Sequence, residues 1–218
     1  EEDVVFHIGI TPNRGDALSH IGVARDVAAA RTIESLIKGN HSICELIIPS
    51  VEKFAEIHCN ASLQIGVSVE DALACPRYSG ISMENVSVGD SPSWLKNRLG
   101  AAGLKPINNL VDIANFVMIE CGQPLHIFDA DEITGNKIII KKSAEGAKFI
   151  TLDGMERTLL KDDLMICNEK EGMCMAGVFG GQHSGVSSKT KNIFIESAFF
   201  NPETIRKTSK RHFLHTDA

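Results

Sequence analysis

Apolar positions recur at helical spacing early in the chain and at a spacing of two later on. Leu18, Ile21, Ala24, Val27 and Ala28 fall on one side of a 3.6-residue helix, with Arg25 and Arg31 opposite. Asp16 stands just before them as a cap, so an opening helix with an inward-packing stripe is predicted. Leu63 to Val69 alternates strictly, and Tyr78 to Val88 continues with Ile81, Met83 and Val86 between small or polar residues, giving two half-buried strands. Ser91-Pro92-Ser93 predicts a helix start, with serine as cap and proline at the first helical position. Trp94, Leu95, Arg98 and Leu99 form the turns of that helix, and Gly103 closes it. Another helix runs from about Asn108 to Ile119 and ends near Gly122.

Strand signals follow over 138–142, 149–152, 164–168, 175–179 and 193–197, with Asp153-Gly154 as a hairpin turn between two of them. Asn201-Pro202 opens a last helix. Helices precede short strands without the strict alternation of a doubly wound sheet, so the class is α+β with a mainly antiparallel or mixed sheet core.

At 218 residues, 43% hydrophobic and a mean hydropathy near zero, the chain can bury a substantial core. No apolar run approaches the roughly 20 residues that cross a bilayer, and the acidic Glu1-Glu2-Asp3 is unlike a secretory signal, so the expected setting is cytoplasmic with no membrane partner. Cysteines at 44, 59, 75, 121, 167 and 174 form no Cys-x-x-Cys pair and sit mostly in apolar segments, which favours buried free thiols over zinc ligands or disulfides. A net charge of −6 argues against a general nucleic-acid coat. The local basic groups, Arg206, Lys207, Lys210, Arg211 and His212 on one helix and Lys96, Arg98 and Lys105 earlier, read as solvated helix faces. The chain begins without Met and stops directly after a motif-like segment, so residues 1–218 are expected to be one domain cut at both ends from a longer protein.

Candidate chemistry gathers in four segments: 108–115, 122–126, 178–186 with the strand ending at Glu196, and 214–218. Together they suggest one polar pocket in an apolar wall. Taken alone, Gly180-Gly181 reads as a tight turn, since the loop has neither the lysine of a Walker motif nor the register of a dinucleotide fingerprint. If its N–H groups face a cavity, they can hold a carboxylate, a phosphate or an oxyanion. Glu196 ends the apolar run Ile193-Phe194-Ile195, and turned inward it either pairs with a structural base or awaits a donor from a ligand. His126 by itself reads as a satisfied core or turn residue. His212 and His215 lack a third metal ligand, and neither Ser184 nor Ser197 lies in a nucleophile elbow.

Thr11-Pro12-Asn13-Arg14-Gly15-Asp16, Asp112-Ile113-Ala114-Asn115-Phe116-Val117-Met118, Gly122 to Asp129, Phe179 to Gly185 and Leu214-His215-Thr216-Asp217-Ala218 occur in series over essentially the whole chain. In them the chain resembles the beta chain of bacterial phenylalanyl-tRNA synthetase, in its central tRNA-editing region. The resemblance implies a three-layered α+β unit with a β-sandwich-like core and flanking helices. It implies hydrolysis of mischarged Tyr-tRNA(Phe), with Glu196 accepting the tyrosine phenol and His126, Asn115, Gly180, Thr216 and Ala218 forming the rest of the pocket. Gly180, Gly181 or Thr216 would stabilise the oxyanion, and His126 would position water or the terminal adenosine. Two positions depart from the family pattern: Lys105 where some members have arginine, and Ala114 where threonine is usual.

No cofactor or metal is implied for this stretch. ATP and Mg2+ belong to the parent enzyme's catalytic domain, and an alpha subunit completes a heterotetramer. The stretch would be an ester hydrolase rather than a ligase. The alternative is a non-catalytic scaffold that docks tRNA or the partner subunit, which the departures at Lys105 and Ala114 favour.

Overall fold

A computed structural model describes residues 4–52 and 62–214, so Thr216 and Ala218 lie outside the described residues, as do Cys59 and His215. The chain divides into two compact units, one built from Glu1–Asn60, Ser91–Ile107 and Val111–Gln123, the other from Ala61–Asp90, Asn108–Leu110 and Pro124–Ala218.

In the first unit, helix α1 (His20–Ile37) starts later than expected, because Ser19 is its cap and accepts the Gly22 N–H at 2.9 Å. Asp16 sits instead in a 3-10 turn, Gly15–Ala17, where the Arg14 guanidinium draws its carboxylate at 3.0 Å and lowers its pKa. The stripe expected to pack inward does so only in part, with Ile21, Ala24 and Ala28 half-buried. Leu18 is 65% and Val27 52% exposed, and the one α1 residue that is buried is Gly22. Helix α2 (Ser93–Ala101) buries Leu95 and Leu99 as its spacing predicts. Its cap position is Pro92, without a side-chain acceptor, since the Ser91 hydroxyl donates to the buried Asp112 instead. Asp112, in α3 (Asn109–Cys121), also accepts the Ile107 N–H at 2.8 Å. Trp94 meets Phe116 edge-on at 5.6 Å.

The second unit carries ten strands among the described residues: β1 (Gly66–Val69), β2 (Arg77–Met83), β3 (His126–Asp129), β4 (Lys137–Lys142), β5 (Lys148–Ile150), β6 (Glu156–Thr158), β7 (Leu164–Cys167), β8 (Gly172–Met175), β9 (Phe179–Gly180) and β10 (Ile193–Phe199). The five-stranded sheet runs β1-β4-β7-β8-β9, parallel at β1–β4 and antiparallel elsewhere. The three-stranded sheet runs β2-β10-β3, all antiparallel, and β5–β6 is the hairpin turning at Asp153-Gly154. The class is α+β.

Alternation along the larger sheet feeds two cores. Ile138, Ile140, Leu164 and Ile166 join Phe128 and Phe194 of the smaller sheet. Met165, Cys167 and Met175 join Phe149 of the hairpin, and Ile205 of helix α4 (Pro202–His212) packs against them. A sheet covered on both faces reads as a continuous apolar run, which is why β7 is Leu-Met-Ile-Cys with every residue buried. The strand expected over 175–179 is broken, because the apolar run Met173 to Phe179 passes through a turn at Gly177, whose φ is +63°. Helix α4 begins as its Asn-Pro start predicts, with Asn201 accepting the Glu203 N–H at 2.9 Å. Arg206, Lys207 and Lys210 are exposed on it. Its other basic groups depart from the expected solvated face. The sealed Asp163 draws in His212 at 2.7 Å and Arg211 at 3.5 Å, and accepts the Thr208 hydroxyl at 3.1 Å.

Cys75, Cys167 and Cys174 are buried free thiols, whereas Cys44 and Cys121 are exposed. Among the described residues, no group of three or more His, Cys, Asp or Glu side chains is placed to hold a metal ion, and no helix is long and apolar enough to cross a membrane.

Candidate functional site

Strand β10 lies between β2 and β3 and sets Glu196 opposite Gly80 on one side and His126 on the other. Residues opposite one another share a face of the sheet, as do residues two apart along a strand. Glu196, His126 and Tyr78 therefore stand on the same face as Phe128 and Phe194, the face that meets the larger sheet. This is where the alternation of Phe194-Ile195-Glu196 sends the carboxylate, and Glu196 is 5% exposed.

A carboxylate removed from water needs a donor. Its donor is Tyr78, whose phenol O–H gives a hydrogen bond of 2.8 Å to Oε2. The partner is therefore neutral, not a structural base, and Oε1 has no hydrogen-bond partner among the described residues. Burial pushes the Glu196 pKa up to about 7, against the Tyr78 bond, which pulls it down. Burial and the neighbouring carboxylate hold the Tyr78 phenol well above its usual pKa.

His126 meets Phe128 edge-on with ring centroids 4.4 Å apart. Part of the residue's surface stays exposed, yet its Nε2 is sealed and has no hydrogen-bond partner. Burial lowers its pKa to about 4, so the imidazole is neutral near pH 7.

Gly180 completes this group. A Cβ there would stand 2.7 Å from Leu152 Cδ1 and 3.1 Å from His126 Cε1, so the bare backbone lets the loop close on the imidazole. Gly181 is placed differently. Its N–H donates to the Met173 carbonyl at 2.8 Å, which takes it out of the expected role as an oxyanion donor in this arrangement. Ser184 donates to the same carbonyl at 2.7 Å and is structural.

Ala114, buried, and Asn115, half-buried, are on α3, and Lys105 is exposed before it, all three in the first unit. A cavity of about 560 Å³ in the second unit is lined by Lys141, Lys148, Lys170, Glu156 and Gly181, but not by Glu196, His126 or Gly180. Tyr78 was missed by sequence reasoning, which placed it only at the start of a strand. It is the one tyrosine of the chain, and a phenol in a half-buried strand calls for an acceptor; that was the available signal.

Residues 74–218 match the family model described as the B3/4 domain. The whole chain is 50% identical to 26% of the phenylalanine–tRNA ligase beta subunit of Bacteroides fragilis, and 51% identical to 26% of that of Porphyromonas gingivalis. The corresponding subunit of Geobacter metallireducens is 44% identical, again over the whole chain and 26% of the relative. The chain thus spans about a quarter of the length of the curated relatives it matches. A crystal structure of an N-terminal fragment of the phenylalanyl-tRNA synthetase beta subunit from Pyrococcus horikoshii overlaps 88% of this chain and 55% of that one, at a TM-score of 0.49 and 19% identity.

Proposed function

The chain belongs to the B3/4 domain family, and from that premise we propose that it is the part of a bacterial phenylalanine–tRNA ligase beta subunit that hydrolyses mischarged Tyr-tRNA(Phe). The observation that carries this is the buried Glu196 carboxylate, already bonded to one phenol and with a second oxygen to offer. A synthetic pocket shaped for phenylalanine rejects tyrosine imperfectly, because one added hydroxyl changes binding by only a few kcal/mol. A second site reverses the selection if it rewards that hydroxyl. Tyrosine would give Oε1 a donor, whereas phenylalanine would leave it desolvated and unmatched at about 1–3 kcal/mol, or roughly tenfold to a hundredfold.

In the reaction, water attacks the aminoacyl ester carbon, the bond to the terminal ribose oxygen breaks, that oxygen takes a proton and free tyrosine leaves. The adjacent ribose hydroxyl passes the proton, which suits a site whose imidazole, with its pKa lowered to about 4, is a weak base. His126, against which Gly180 closes, positions the water or the terminal adenosine. The Gly180 N–H or Thr216 meets the oxyanion, and Ala218 leaves room for the aromatic ring. The parent enzyme joins phenylalanine to tRNA(Phe) with ATP and Mg2+ in an assembly with alpha subunits.

One observation favours the scaffold reading: Tyr78 gives Glu196 an internal donor, as a purely structural carboxylate would need. Deacylation of Tyr-tRNA(Phe) and Phe-tRNA(Phe) by the full synthetase separates the two. An editor removes tyrosine selectively and loses that selectivity roughly tenfold to a hundredfold in Glu196→Ala; a scaffold removes neither.

A further inference from the structure

Tyr78 is opposite Ala198, two residues along β10 from Glu196, so its phenol reaches diagonally across the β2–β10 pair to the carboxylate. Its ring is packed against the apolar core that holds Phe128 and Phe194. Gly80 keeps the neighbouring position bare, since a Cβ there would stand 2.0 Å from Cζ of Phe194. The phenol is thus fixed by its ring before any ligand arrives. A carboxylate is planar, and holding one oxygen fixes the place of the other.

We propose that Tyr78 is a specificity-positioning residue of the same site: it holds Glu196 by Oε2, so that Oε1 is presented as the acceptor for a ligand phenol. The inference rests on the editing function proposed above and deepens it. The site then binds a second phenol beside one it carries permanently, and the resident phenol sets both the direction and the charge of the group that reads the ligand.

The titratable groups around the carboxylate give the idea a readout that packing alone would not move. Tyr78 comes from β2, His126 from β3, Cys174 from β8, and Cys75 from the segment before β2. Among these, the Tyr78 bond lowers the Glu196 pKa, against the burial that raises it to about 7. Without that bond, more of Glu196 is protonated at neutral pH and the site offers a hydroxyl in place of an anion.

The test is Tyr78→Phe in the full synthetase, with deacylation of both charged tRNAs followed from pH 6 to 9, and thermal unfolding as a fold control. The expected result is about a tenfold loss of tyrosine selectivity near pH 7, regained at higher pH, with the midpoint of the profile raised by about one pH unit. A variant that folds like the parent and keeps both selectivity and midpoint overturns the positioning role. Should Tyr78→Phe fail to fold, 3-fluorotyrosine at position 78, a stronger phenol donor, is expected to move the midpoint down; an unmoved midpoint overturns the proposal equally. Glu196→Ala keeps the two levels apart. If it retains selectivity, the editing function itself falls; if it loses selectivity while Tyr78→Phe changes nothing, the role of Tyr78 alone falls.

Discussion

A carboxyl group taken out of water keeps its proton longer, and Glu196 keeps it up to about pH 7 against an ordinary 4.5. Between those values the folded chain binds a proton that the unfolded chain has released, so this residue's contribution to stability is full below about 4.5 and is lost as pH rises through 7. His126 works in the opposite sense. Its pKa falls to about 4 from 6.5, so its contribution is present above 6.5 and is lost as pH drops toward 4. Glu196→Gln removes the first effect and leaves the second. Urea unfolding at a series of pH values should therefore show the variant gaining on the parent between pH 4.5 and 7, by on the order of 3 kcal/mol. Parallel stability curves would contradict the burial assigned to Glu196. The inward turn of Glu196 was legible from the alternation of the residues before it. Its partner was not, because Tyr78 is 118 residues away and only the β2–β10 register brings them together.

The three-stranded sheet is a surface cut to fit one aromatic ring. Phe194, 2% exposed, lies over Gly80, where any side chain would strike the ring. Gly80→Ala should cost about 1–3 kcal/mol in chemical denaturation by overpacking; a neutral effect would mean that the ring has room to move. Helix α4 is held by a different device, the sealed Asp163 beneath Thr208 and His212, with Arg157 donating to the His212 carbonyl at 3.0 Å. Asp163→Ala should destabilise the chain by about 3 kcal/mol, since it strips a buried hub of its charge. An exposed side chain in that place would cost almost nothing.

Elements with strong local signals were legible: the Asn-Pro start of α4, the Asp-Gly hairpin, and the apolar strands of the central sheet. Those resting on one side chain were not. Asp16 was a plausible cap until Arg14 claimed it, and the break at Gly177 is hidden in sequence because both sides of the turn are apolar and buried.

At the scale of the molecule, the two units are interleaved in sequence, which is why no linker could be read. The chain leaves the first unit before Ala61, returns at Ser91, and goes back for good at Pro124. Three of the expected site residues, Glu196, His126 and Gly180, come together in the second unit through strand pairing and loop closure. The geometry there depends on a resident phenol that no motif announces. In the proposed function that carboxylate rewards a ligand for one hydroxyl. The most direct measurement is the initial rate of deacylation of Tyr-tRNA(Phe) against Phe-tRNA(Phe) by the full synthetase and its Glu196→Ala form. The predicted result is rapid release of tyrosine alone by the parent, with the preference reduced roughly tenfold to a hundredfold in the variant. Equal preference in both enzymes, or no release of tyrosine by the parent, would contradict it.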